Sequence, residues 1–133
     1  MKTPEEETLQ QIEAGSKEFH EQACQLSKKL AEFEERLNAM PGKVEVVVGC
    51  DETDLVISFE RDGKKWRLSY GSEMPQGTPD EDDESGWITD ACLDIKINAV
   101  MLLPKLLSKL RSTQQDRIKN IKQAILTIDS LKL

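Results

Sequence analysis

The sequence predicts an α+β fold with a long amphipathic helix first, a three-stranded antiparallel β-meander second, and one or two C-terminal helices last. Three observations support this prediction. Apolar residues recur every three or four positions through the first forty residues, strand-like alternation follows, and helical spacing returns after residue 88. Because 133 residues is the length of one domain, we expect residues 1–133 to form a single unit.

The first helix is predicted over residues 1–40, with signals at both ends. Thr3 is suited to cap it, Pro4 suits the first helical position, and Glu6 stands where a capping box places an acid. Pro41 and Gly42 end the pattern. Its apolar residues keep the heptad a/d spacing of helices that pack against other helices, interrupted only at Ser16. We therefore predict an interaction seam formed by Leu9, Ile12, Phe19, Ala23, Leu26, Leu30, Phe33 and Leu37.

A β-meander is predicted over residues 43–71. Trp66, Leu68 and Tyr70 alternate with polar residues, which is typical of a strand with one buried face. Asp62 and Gly63 precede this strand and form a strong type I′ turn signal. Two further strands, at residues 44–48 and 55–60, complete the predicted meander.

Residues 72–88 predict an acidic mobile loop, because they combine prolines, glycines and a run of five acidic residues at 80–84. Their spacing matches that of an EF-hand calcium loop only in part. Glu81 falls on position 1 of a calcium loop, but Cys92 stands at position 12, where a bidentate glutamate is needed. A solvated acidic loop is the better interpretation.

Residues 89–133 predict the C-terminal helices. Residues 93–97 alternate as in a strand, but helical spacing extends over the longer window 88–110, so we predict a helix there. Thr89 or Asp90 is the predicted cap, and Pro104 is expected to kink or restart the helix.

The net charge of −7 is unevenly distributed along the chain. Residues 1–40 carry −4 and residues 91–133 carry +5, so we expect the first helix and the C-terminal segment to lie against one another, in one chain or between chains. No apolar run has the length of a membrane span, and the acidic N-terminus differs from a signal peptide. Three widely spaced cysteines argue against a disulfide framework. Together these features predict a cytoplasmic protein.

The residues with metal-binding or catalytic chemistry form no recognisable motif. His20 and Cys24 lie four apart, but Cys50 and Cys92 are distant and no Cys-x-x-Cys pair is present. The sequence also lacks a phosphate-binding glycine loop and a nucleophile elbow. It predicts no catalytic residue, no metal and no cofactor, and it favours a non-enzymatic protein without excluding an enzyme.

The functional prediction is a protein–protein interaction protein (an adapter, inhibitor or small assembly factor) that acts through helix–helix packing. One alternative is a small enzyme or ligand-binding domain with a pocket between the sheet and the C-terminal helices. A minor alternative is an acidic mimic of nucleic acid that blocks a DNA-binding protein. Binding of nucleic acid itself is disfavoured by the acidic net charge.

The expected partner is another protein, and a homodimer is one form of this expectation. A helix of about 54 Å exposes more apolar stripe than three strands cover. In a parallel pair of first helices, Lys29 of one copy would face Glu34 of the other. Alternatively, an antiparallel hairpin with the apolar stripe of residues 118–128 would cover the same seam within one chain.

Overall fold

The computed structural model describes residues 1, 3–72 and 85–131. The described part comprises a long N-terminal helix, an antiparallel sheet of four strands and a long C-terminal helix, which confirms the predicted α+β class. The elements in chain order are α1 (Pro4–Asn38), β1 (Val46–Gly49), β2 (Leu55–Asp62), β3 (Lys65–Ser72), β4 (Gly86–Trp87), a 3₁₀ turn (Ile88–Asp90) and α2 (Leu93–Ser130).

Helix α1 begins at the predicted position. The Oγ1 atom of Thr3 accepts a hydrogen bond of 3.2 Å from the backbone N–H of Glu6, and Pro4 occupies the first turn. The cap satisfies one of the N–H groups that a helix leaves unpaired at its start. The helix ends at Asn38, two residues before the predicted end.

The sheet has the order β1-β2-β3-β4, with every neighbouring pair antiparallel. Gly63 adopts a φ of 61° between β2 and β3, as the Asp-Gly turn signal requires. The prediction of three strands omitted β4, which pairs with β3 through Ser69 opposite Trp87 and Tyr70 opposite Gly86. A strand of two residues is too short to show a period in the sequence.

The predicted acidic loop of residues 72–88 falls only partly within the described residues. Residues 73–84, including Glu81 and the acidic run, lie outside the described residues. The loop prediction was wrong at its C-terminal end, because Gly86 and Trp87 form β4 and Ile88 is fully buried. These residues are ordered by contact with the sheet, which local composition does not reveal.

Helix α2 is one continuous helix through Pro104. The choice of helix over strand for residues 93–97 is confirmed, but the predicted caps were wrong. Thr89 and Asp90 precede the helix and instead contact Arg67, whose Nη2 atom donates to Thr89 Oγ1 at 2.9 Å. Burial of the side chains on both sides of Pro104 explains why the helix continues past it.

The core lies between one face of the sheet and the two helices. Alternate strand residues point inward because side chains alternate between the faces of a strand. The buried set is Leu30 and Leu37 from α1; Val46, Val48, Ile57, Phe59 and Leu68 from the strands; Ile88 from the 3₁₀ turn; and Ala99, Leu102, Leu106 and Leu110 from α2.

Helical side chains cap the backbone of both outer strands of the meander. On β3, Glu34 Oε2 accepts from the N–H of Leu68 at 3.0 Å, and Asn38 Oδ1 accepts from the N–H of Trp66 at 2.8 Å. On β1, Lys105 Nζ donates to the carbonyl of Gly49 at 2.9 Å, and Lys109 Nζ donates to the carbonyl of Val47 at 2.6 Å. These contacts satisfy backbone groups that the neighbouring strands do not pair.

The same contacts fix the direction of the helices. Glu34 and Asn38 meet β3 in reverse chain order, so α1 runs antiparallel to β3. Lys105 and Lys109 meet β1 in reverse order as well, so α2 runs antiparallel to β1. Because β1 and β3 both run antiparallel to β2, the two helices run in the same direction along the sheet.

Candidate functional site

Both helices continue well beyond the sheet. Residues 4–22 of α1 and residues 115–130 of α2 are all exposed. We call these segments the α1 arm and the α2 arm. At 1.5 Å per residue they are about 28 Å and about 24 Å long.

The arms leave the sheet at opposite ends. The first turns of α2 lie beside the middle of α1, where Lys96 Nζ donates to Ser27 Oγ at 2.8 Å and Ile97 borders a groove shared with Phe19. At the other end, residues 113–121 of α2 border the loop of residues 41–45 that follows α1. The α1 arm therefore projects past the start of α2, and the α2 arm projects past the end of α1.

The structure divides the predicted interaction seam into two parts. Leu30 and Leu37 are buried in the chain's own core, Leu26 and Phe33 pack against that core, and Ala23 is partly buried. These five residues face the chain's own sheet and α2. Three members on the α1 arm remain more than half exposed: Leu9 at 56%, Ile12 at 58% and Phe19 at 65%.

The α2 arm carries a second apolar stripe. Ile118, Ile121, Ile125 and Ile128 keep a 3-4-3 spacing on one helical face, and each is 50% to 63% exposed. The expected antiparallel hairpin with the first helix is wrong, because these residues lie at the far end of a helix that runs parallel to α1. Sequence spacing identified the stripe, and only the fold shows that it is uncovered.

Glu34, which a parallel pair of first helices would set opposite Lys29, makes contacts within its own chain. The carboxylate of Glu34 accepts from the N–H of Leu68 and lies 3.7 Å from Arg67 Nε. Its side chain is only 15% exposed. This residue is therefore engaged within its own chain.

The charges of the two arms have opposite sign. The α1 arm contains six glutamates and one lysine, a net charge of −5, whereas the α2 arm contains three basic residues and two aspartates, Asp116 and Asp129, a net charge of +1. The first helix and α2 touch through Lys96 and Ser27, but none of the ion pairs among the described residues joins the acidic first helix to the basic last segment. Within the described residues, the ion pairs join Arg67 to Glu34 and Asp90, and Lys105 to Asp51.

The candidate metal ligands are not brought together. His20 Nε2 and Cys24 Sγ lie 3.7 Å apart on the exposed surface of α1, whereas Cys50 and Cys92 belong to the sheet end and the start of α2. No group of three His, Cys, Asp or Glu side chains suited to a metal ion occurs in the part of the chain that the structure describes.

Cys50 lies in the turn that connects β1 to β2. Its backbone N–H donates to the carbonyl of Leu55 at 3.0 Å. The Thr53 hydroxyl, followed by the backbone N–H groups of Glu52 and Thr53, lowers the pKa of the Cys50 thiol by hydrogen bonding to the thiolate. The turn thus favours the thiolate form of Cys50 over the thiol.

The space between the sheet and α2 is filled by core side chains. A shallow concave surface of about 870 Å³ lies on the opposite face of the sheet, bordered in part by Val47, Glu60 and Trp87. Its central hydroxyls are mutually satisfied, because Ser58 bonds to both Ser69 and Glu60. No buried side-chain nitrogen or oxygen lacks a partner among the residues described.

Over residues 1, 3–72 and 85–131, neither helix has the length and apolar character needed to cross a bilayer.

Comparison of the chain with protein-family models, with curated proteins and with solved structures finds no match.

Proposed function

We propose that this protein is a non-enzymatic interaction protein that binds a helical partner surface through the α1 and α2 arms. One observation carries the proposal: large apolar residues at helical spacing are exposed on two segments that the core does not use. They are Leu9, Ile12 and Phe19 on the α1 arm, and Ile118, Ile121, Ile125 and Ile128 on the α2 arm.

The dependence of helix stability on packing supports the binding of a partner by the arms. Most helical stability in proteins comes from packing of an apolar face, and the stripe residues of the arms are at least half exposed. The α1 arm also contains Gly15, which costs a helix up to about 1 kcal/mol relative to alanine. Contiguous exposed apolar surface of this kind marks interaction sites in proteins.

A capture experiment with the full tagged chain tests this function. We expect the wild-type chain to retain one protein in stoichiometric amount from a lysate of its source cells. The double variant Ile121→Asp/Ile125→Asp places two carboxylates on the α2 stripe and should lose that protein. The control Gln123→Asp adds a carboxylate to the opposite face of the same helix and should retain it.

Folding of each variant is checked by circular dichroism and thermal unfolding of dilute protein. Because both isoleucines are exposed, the substitutions should leave the unfolding of the core nearly unchanged. If the folded double variant captures the same protein as the wild type, the α2 arm is not the binding surface and the proposed function fails.

A further inference from the structure

We propose that the occupant of the arms is a second copy of this chain, with the α1 arm of each copy packed against the α2 arm of the other. This inference rests on the proposed function and names its partner. It follows from the direction, charge and continuity of the arms.

The geometry permits a closed pair. Because α1 and α2 run in the same direction and their arms leave opposite ends, a twofold rotation perpendicular to the helices reverses the second copy. This rotation brings the α2 arm of the second copy, in antiparallel direction, to the end of the pair that holds the α1 arm of the first copy, and the same holds at the other end. Such an interface is self-complementary and leaves no arm unpaired.

Charge favours α1-to-α2 contact over pairing of like arms. Two α1 arms placed together would bring a net charge of −5 against −5. An α1 arm beside an α2 arm instead brings −5 against +1, and it lets the glutamates approach the basic residues Arg117, Lys119 and Lys122. Complementary charge of this kind selects the partner and its orientation.

Each exposed stripe continues a stripe that is already packed in the core. On α1, the exposed residues lead into the buried Leu30 and Leu37, and on α2 the buried Leu106 and Leu110 lead into the exposed isoleucines. In the core, both stripes contact the sheet and the neighbouring helix. The inner turn of the α1 arm, at Phe19, still borders the start of α2, and beyond it the second copy supplies a neighbouring helix at each end.

A complementation experiment tests the arrangement. One full-length variant carries Ile12→Asp and Phe19→Asp in the α1 arm, and the other carries Ile121→Asp and Ile125→Asp in the α2 arm. At tens of micromolar, light scattering after size exclusion should give twice 15.1 kDa for the wild type and 15.1 kDa for either variant alone. Each pair of buried carboxylates should raise the dissociation constant at least about a hundredfold.

An equimolar mixture of the two variants should form a 1:1 pair, visible by native mass spectrometry. One end of this mixed pair joins the intact α2 arm of the first variant to the intact α1 arm of the second. The controls Ala14→Asp and Gln123→Asp, on the opposite helical faces, should remain dimeric. Circular dichroism confirms that all four chains are folded.

Several outcomes overturn the inference. A wild-type chain that stays at 15.1 kDa has no second copy as its partner. A dimer that survives in the α2-arm variant indicates α1-to-α1 pairing, and one that survives in the α1-arm variant indicates α2-to-α2 pairing. A mass that grows continuously with concentration indicates an open chain of copies. If the wild type is monomeric but still captures another protein through Ile121 and Ile125, the proposed function stands and only the second copy is excluded.

Discussion

At the scale of single residues, Glu34 links the N-terminal helix to the sheet. Its carboxylate accepts from the backbone of Leu68 and lies beside the Arg67 guanidinium. Arg67 in turn stacks over the Trp87 ring at 4.6 Å and donates to Thr89. This chain of contacts joins α1, β3, β4 and the 3₁₀ turn, and it therefore fixes the direction in which the α1 arm projects.

We predict that Glu34→Ala lowers the free energy of unfolding by about 1–3 kcal/mol, because the Leu68 N–H loses its partner in a largely buried setting. Glu34→Gln keeps an acceptor oxygen and should cost less. Urea denaturation measures both changes. The exposed neighbour provides the control: Glu35→Ala should change stability by less than about 0.5 kcal/mol. Equal losses for the alanine variants at both positions would contradict the role assigned to Glu34.

The lowered pKa of Cys50 predicts a reactive thiol. The rate of alkylation by iodoacetamide, followed at this residue by peptide mass spectrometry, should reach its half-maximal value at a lower pH in the folded chain than in urea. Thr53→Ala removes the hydroxyl that contributes most to the shift and should move this midpoint upward. An unchanged pH profile in Thr53→Ala would show that the hydroxyl does not act on the thiolate.

At the scale of elements, α1 is one helix with two environments. Leu30 is 2% exposed and Leu9 is 56% exposed, although both occupy the same apolar stripe. The sequence indicates the stripe and its phase. It does not indicate where the sheet stops covering it, because that boundary depends on which strand α1 lies against.

A matched pair of substitutions tests this division. Leu30→Ala should cost about 2–5 kcal/mol, the usual range for removing a buried leucine side chain. Leu9→Ala, the same change in the same helix, should cost less than about 0.5 kcal/mol when the protein is too dilute to associate. Denaturation in urea at submicromolar concentration measures both. A large loss for Leu9→Ala in the dilute protein would show that the α1 arm belongs to the cooperative core.

Several elements were predictable from local signals. The cap at Thr3 and the turn at Gly63 each report a local requirement of the backbone, and the structure contains both. The third strand is also present, but its burial does not alternate as predicted, because Ser69 is buried beside Leu68. The start of α2 was mispredicted because Thr89 has the chemistry of a cap but is used by Arg67 instead. That competition is between residues 22 positions apart, which no local pattern records.

At the scale of the whole molecule, a compact centre separates two projections of opposite charge. The stripe residues of both arms were visible in the sequence as helical spacing. Their availability to a partner was not, because it depends on α1 and α2 running in the same direction along the sheet. That direction is set by capping contacts such as those of Asn38 and Lys109, which the sequence does not predict.

Association of the arms predicts that thermal stability depends on protein concentration. If the folded chain self-associates and the unfolded chain does not, the wild-type Tm should rise as concentration increases from about 1 to 100 μM. The Tm of Ile121→Asp/Ile125→Asp should stay constant over the same range. Differential scanning fluorimetry at several concentrations measures this difference. A constant wild-type Tm over this range would contradict self-association.

The paired caps on the sheet edges require the spacing of side chains along a helix to match the spacing of backbone groups along a strand. Four residues of helix advance about 6.0 Å, whereas two residues of strand advance about 6.6 Å to 6.8 Å. Two contacts fit this near-match, but a third would be displaced by more than about 1 Å, beyond the tolerance of a good hydrogen bond. On β3 the helix caps Trp66 and Leu68, and β4 takes over pairing from Ser69 onward. A helix can thus take the place of a neighbouring strand over about two hydrogen bonds only. This limit accounts for the position of β4, whose two residues pair with β3 directly after the capped residues.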